Sequence, residues 1–185
     1  MKISQEFSVA KPPDAVWRFF QDVPAVAECL PGAELLGETE DGYEGKLSAK
    51  LGPMTATFEG KATVDPNPSE KTAVIEGRGV DKRGGSRGQV KVEYAIVPDE
   101  SGSRVSVDAD VTLSGPAAQF GRTGLINEMS KRLIGDFVDC LEGKLGAASE
   151  EEAKSVTAGD VNGFALFFSS LWAWIKRLFA RGDQD

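Results

Sequence analysis

Apolar and polar positions alternate over residues 3–9, where Ile3, Phe7 and Val9 share a face with polar Gln5. That period of two predicts a strand. Pro12-Pro13-Asp14 then opens a helix whose apolar positions Val16, Trp17, Phe19 and Phe20 fit a helical repeat. A second short helix is expected over about 23–30. It is ended by Leu30-Pro31-Gly32, because proline cannot continue a helix and glycine frees the turn. From 34 to 113 the period returns to two, broken at Asp41-Gly42, Gly52-Pro53, Pro66-Asn67-Pro68, Gly84-Gly85 and Ser101-Gly102. About six antiparallel strands result. After Ser114-Gly115-Pro116 the period lengthens again. Leu125, Met129, Leu133, Phe137, Leu141 and Leu145 recur at every fourth position and predict one long helix. Together these elements predict an α+β helix-grip fold, a curved antiparallel sheet wrapped around the last helix.

The predicted sheet has an unusual inner face. Taking the alternation at face value, Gly45, Ala49, Ala56, Gly60, Ala62, Gly77, Gly79, Gly88 and Ala109 point inward. A filled core asks for Val, Ile or Leu there, and glycine weakens a strand interior. Two compatible readings follow: the small residues let the sheet bend around the helix, or they leave an apolar cavity. On the second reading the candidate cavity residues are Met54, Phe58, Gly60, Gly77, Val90, Val92, Tyr94, Phe120, Leu125, Ile126, Asn127 and Met129.

The pattern changes once more near the C-terminus. Residues 147–161 are polar and lack apolar periodicity, and they read as a linker. A flexible stretch of about 13 residues would reach roughly 20 Å. Residues 162–181 are expected as an amphipathic helix. Phe164, Phe167, Phe168, Leu171, Trp172, Trp174, Ile175, Leu178 and Phe179 fall within an arc of about 160° on a helical wheel. Small residues and the cations Lys176, Arg177 and Arg181 take the other side, with Leu166 the misfit. Large aromatics opposite cations suit a helix lying in a membrane interface, with the cations on anionic lipid headgroups. Packing against the chain's own domain or a partner is the alternative. From Gly163 the 13 uncharged residues before Lys176 are too few to span a bilayer.

Composition narrows the partners. The 185-residue chain has a net charge of −8. Residues 150–185 hold four basic and six acidic side chains, so the acidity belongs to the main body. Nucleic acid is an unsuitable partner, because phosphate binding needs clustered cations. The N-terminal MKISQEFSVAKPP lacks an apolar h-region, so no secretory signal is expected and the main body is placed in the cytoplasm. On that basis Cys29 and Cys140 are expected as two buried, reduced, small apolar side chains.

The chain contains no histidine. That removes the commonest general base, the commonest metal ligand and any Ser-His or Cys-His pair. Walker, Rossmann and CxxC motifs are absent too. Neither a metal site nor a catalytic residue is expected. GVDKRGGSRG, residues 79–88, reads as a hairpin tip, with a docking contact through Lys82, Arg83 and Arg87 as the alternative.

CLPGAELL (29–36), LGPMTATFEGKA (51–62), GRGVDKRGGSRG (77–88) and SGPAAQFGR (114–122) resemble, in order and spacing, the carbon monoxide dehydrogenase G-subunit family. That family lies within the START-like, polyketide-cyclase superfamily, and the resemblance covers about residues 1–146. It implies a non-catalytic accessory protein of the aerobic, molybdenum-type carbon monoxide dehydrogenase complex, recruiting that enzyme to the cytoplasmic face of the membrane. It also implies a hydrophobic ligand cavity. A cavity tethered to a bilayer suits a respiratory quinone as bound ligand, with Tyr94 and Asn127 as donors to its carbonyls. The alternatives are a pure anchor, or a START-like lipid carrier or enzyme unrelated to carbon monoxide.

Overall fold

The alternating start of the chain forms β1 (Lys2–Val9), and the proline-opened segment forms α1 (Pro13–Gln21). Asp22 then caps α2 (Val23–Cys29), its carboxylate accepting from the Ala25 N–H at 3.1 Å. Six strands follow: β2 (Ala33–Thr39), β3 (Gly42–Leu51), β4 (Met54–Asn67), β5 (Thr72–Asp81), β6 (Ser86–Asp99) and β7 (Gly102–Ser114). A 3-10 helix (Gly115–Arg122) leads into α3 (Leu125–Gly146), so the predicted helix starts only after a tighter turn. The structure is a computed structural model that describes residues 1–51, 54–122, 125–147 and 156–157. The residues of the expected membrane-interface helix, Phe164 to Phe179, lie outside the described residues.

Among the described residues the strands form one antiparallel sheet in the order β1-β7-β6-β5-β4-β3-β2. This is the expected α+β helix-grip fold, a meander closed on one edge by the first strand. Burial alternates along β6 and β7, which gives the sheet one concave, apolar face and one convex, charged face.

The core fills only part of the concave face. Val9, Val16, Phe19, Ala73, Tyr94, Ile96, Val105, Phe137 and Leu141 form one buried cluster between α1, α2, α3 and the β1-β7-β6-β5 side. Phe137 of α3 meets Phe7, Phe19 and Phe20 edge-on, at centroid separations of 5.7–6.4 Å. Such contacts add to area burial. A smaller cluster around Ala56 and Ala117 gathers Ala49, Phe58, Leu113, Phe120 and Met129.

The two cysteines correct the expectation of free thiols: Cys29 and Cys140 form a disulfide. Packing of α2 on α3 brings their Cα atoms to 5.4 Å, inside the range a disulfide requires. Sequence spacing could not show this, because a separation of 111 positions says nothing about where the two helices meet. Lys144 Nζ to Glu28 Oε2, at 2.7 Å, ties the same pair of helices. Val156, within the segment expected as a linker, also packs on this junction. It joins the main cluster, and its carbonyl lies 3.9 Å from Cys140 Sγ.

Candidate functional site: an apolar groove floored by glycine

Beside the filled core, the concave face of β2 to β7 is open. A groove of about 320 Å³ runs there, with Gly60, Ala62, Gly77, Gly79 and Gly88 as its floor. Phe58, Val90, Val111 and Leu113 form one wall. Leu35, Tyr43 and Leu47 of β2 and β3 form the other, with Val23 and Ala27 of α2 at the side. Leu47 remains 42% exposed although it faces inward, so the groove opens to solvent. Its volume is at the low end of ligand pockets, which hold a drug-sized molecule at about 300–1,000 Å³.

The register explains the open floor. Gly60 pairs with Gly79 across β4 and β5, and Gly79 pairs with Gly88 across β5 and β6. Gly45 pairs with Gly60 across β3 and β4, so four glycines stand in one row across the sheet. The two readings of the small residues divide along this row. A Cβ on Gly60 would collide with the backbone carbonyl of Arg78, so this glycine permits the close crossing of β4 and β5. A Cβ on Gly88 would make ordinary contact with the Phe58 ring at 3.4 Å, so that glycine leaves space.

Of the sequence-predicted cavity residues, the structure brings Phe58, Gly60, Gly77 and Val90 onto the groove. Phe120 and Met129 pack beside it in the small cluster. Two positions need correction. Tyr94 lies in the filled core, 4% exposed, with Phe20 at 4.8 Å and Trp17 at 6.3 Å between ring centroids. Its hydroxyl accepts from Gln21 Nε2 at 3.3 Å, and burial pushes its pKa up. Val92 sits between Ile75 and Ala109 in register, off the groove wall. Both share the inward parity of Val90 but stand further toward the filled end. Alternation predicts the face, not the position along it. The side chains of Met54, Leu125, Ile126 and Asn127 lie outside the described residues.

Sequence reasoning missed Tyr43, Leu47 and Leu35. The first two were legible, because they share the parity of Gly45 and Ala49 on β3. Leu35 is harder to find, because a bulge between Leu35 and Gly37 shifts the register of the β2 edge. The rim charges are paired: Lys46 with Glu34 at 3.3 Å and Lys61 with Glu44 at 3.1 Å. Tyr43 brings a phenol to the otherwise apolar wall. A groove of this kind has the shape and lining to hold a flat, apolar molecule.

Known proteins agree with this architecture. A conserved protein from Geobacillus kaustophilus superposes with a TM-score of 0.66 at 15% identity, covering 79% of this chain and 95% of its own. A protein from Thermus thermophilus gives 0.59 at 14% identity, covering 80% of this chain and 100% of its own. The ZhuI aromatase/cyclase of Streptomyces sp. R1128 gives 0.50 at 16% identity, covering 79% and 93%. These likenesses establish the fold alone. No curated protein matches the sequence. The family described as the G subunit of carbon monoxide dehydrogenase (CoxG) matches residues 6–146, and the chain belongs to that family, an accessory subunit associated with carbon monoxide dehydrogenase.

Proposed function

We propose that this chain is a non-catalytic accessory protein. It recruits the molybdenum-type carbon monoxide dehydrogenase to the cytoplasmic face of the membrane and accepts a respiratory quinone in the groove. The observation that carries the reading is the apolar groove with its row of four glycines. A planar quinone ring needs a slot without side chains on its floor. At about 320 Å³ the groove suits the ring and the start of the isoprenoid chain, with the remainder running out through the open mouth. Tyr43, on the groove wall, brings a hydroxyl that can donate to a ring carbonyl. A site with an apolar wall, no histidine and no opposed carboxylates supports binding without turnover.

The expected division places a ligand-binding domain at 1–146, a linker at 147–161 and a membrane-interface helix at 162–181. The aromatic face of that last segment supports peripheral attachment to anionic lipid. Among the described residues no helix is long and apolar enough to cross a membrane. The Cys29–Cys140 disulfide pulls against a cytoplasmic location, because reducing compartments keep thiols reduced. Both cysteines are fully buried, so thiol exchange needs local opening of α2 from α3.

The test is extraction of the purified protein and identification of bound lipid by mass spectrometry. Wild type should yield a quinone. Gly88→Leu, which fills the groove from a position with room for a side chain, should yield none while remaining membrane-bound. Removing residues 158–185 should release the protein from membranes without unfolding it. A quinone-free wild type that still binds membranes would reduce the role to an anchor.

A further inference from the structure

Behind the glycine floor, on the convex face, β5 and β6 carry a patch of unlike character. Val80 is 41% exposed, opposite Arg87 on β6 and Glu59 on β4. Arg78 lies two residues back on the same face, roughly 7 Å away. Lys82 and Arg83 continue from Val80 into the turn. Lys82 pairs with Glu59 at 3.4 Å. Arg78, Arg83 and Arg87 are exposed, and among the described residues no ion pair engages their side chains.

The turn that presents them is fixed. The buried Asp81 carboxylate accepts from the backbone N–H groups of Arg83 at 3.0 Å and Gly84 at 2.9 Å. Ser86 Oγ, fully buried, accepts from the Ala117 N–H at 3.0 Å and joins the turn to the 3-10 helix. Four cations around an exposed valine also run against a chain whose net charge is −8. Like charges on neighbouring strand positions repel, and the arrangement becomes favourable when a partner supplies the anions.

We propose that Arg78, Val80, Lys82, Arg83 and Arg87 form a docking surface for a protein that presents a carboxylate cluster around an apolar residue. Resting on the proposed function, that protein is the dehydrogenase. Two observations favour a protein over an anionic membrane. Glu76 shares the convex face two residues from Arg78, while Glu59 and Glu93 pair there with Lys82 and Lys91, so the face carries both signs and does not match a uniformly negative lipid plane. A protein surface can place its own cations against those positions. Three of the five residues are arginine, whose planar fork matches a carboxylate in bidentate fashion.

The test measures binding of the full chain to purified carbon monoxide dehydrogenase by interferometry at low and moderate salt. Flotation with phosphatidylglycerol vesicles runs alongside. Arg83→Glu/Arg87→Glu should weaken dehydrogenase binding by about tenfold or more and flatten its salt dependence. Vesicle binding should not change. Arg83→Glu alone, in the exposed turn, should show a smaller loss with an unchanged unfolding midpoint. Lys131→Glu on α3 serves as the remote control and should bind normally. If wild type binds the dehydrogenase and the double reversal binds equally well, the docking surface is wrong while the recruiting role stands. Failure of wild type to bind at all sinks both. Loss of vesicle binding with dehydrogenase binding intact assigns the patch to lipid and overturns the proposal.

Discussion

The two ends of the concave face share the same strands and the same hydrogen-bond ladder, yet they do opposite things. Toward one end the inward residues of β4 to β7 are Val64, Ile75, Tyr94, Ile96, Val105 and Val107, packed on the phenylalanines of α1 and α3. Toward the other they are Gly60, Ala62, Gly77, Gly79, Gly88 and Val90, facing open space and the side of α2. Close packing at the first end gathers the dispersion contacts and apolar burial that hold the fold. Small residues at the second end forfeit those contacts and add the conformational cost of glycine. A strand-by-strand division of labour follows. Stability is concentrated where side chains are large, and open volume lies where they are missing.

The comparison breaks most visibly through Phe137. Phe137→Ala removes the ring at the centre of the filled end and should cost about 3–5 kcal/mol. Leu47→Ala, at the groove mouth, should change stability by less than about 0.5 kcal/mol while weakening groove ligands. Urea unfolding of both variants checks this, and equal losses would show that the two ends are not distinct. The next effect concerns the clamp at the boundary. Replacing Cys29 and Cys140 by alanine frees a loop of 111 residues and should cost about 3 kcal/mol. Because α2 is also a groove wall, the double variant should lose ligand as well. Non-reducing mass spectrometry of alkylated cell extracts reports which redox form exists in vivo.

A smaller effect separates the two kinds of glycine. Gly60→Ala puts a methyl group against the Arg78 carbonyl and should cost about 1–3 kcal/mol as the strands move apart. Gly88→Ala meets only side chains at ordinary distance and should be neutral, or stabilise by up to about 1 kcal/mol. Matched losses at both positions would mean that the whole row serves curvature and none of it serves space.

The sequence made the elements legible because each has its own period, and Leu125 to Leu145 and the meander of 34–113 show it plainly. The inner face was legible for the same reason, since glycine and alanine recur at one parity. Parity carries no information on distance along a strand, so Tyr94 and Val92 were read into the groove although they stand toward the core. Contacts between distant segments were illegible. The disulfide joins residues 111 apart, and Val156 returns to the α3 junction from within a polar stretch. Nothing local in either segment encodes its partner.

The smallest effect tests whether Tyr94 belongs to the dry end. Burial raises its pKa above 10.0, while the hydrogen bond from Gln21 pulls it partly back. A raised value in the folded state means that folding favours the neutral phenol. This contribution to stability is fully present below the unfolded value near 10.0 and is lost as pH climbs through the folded value. Alkaline titration of phenolate absorbance should therefore show a late ionisation step belonging to Tyr94. Tyr94→Phe should remove that late step and cost about 1 kcal/mol or less, because Gln21 sits at the edge of the core and can turn to water. Tyr43→Phe, on the groove wall, should act on ligand binding instead. If the late step survives Tyr94→Phe, Tyr94 does not sit in dry surroundings and the contrast between the two ends fails.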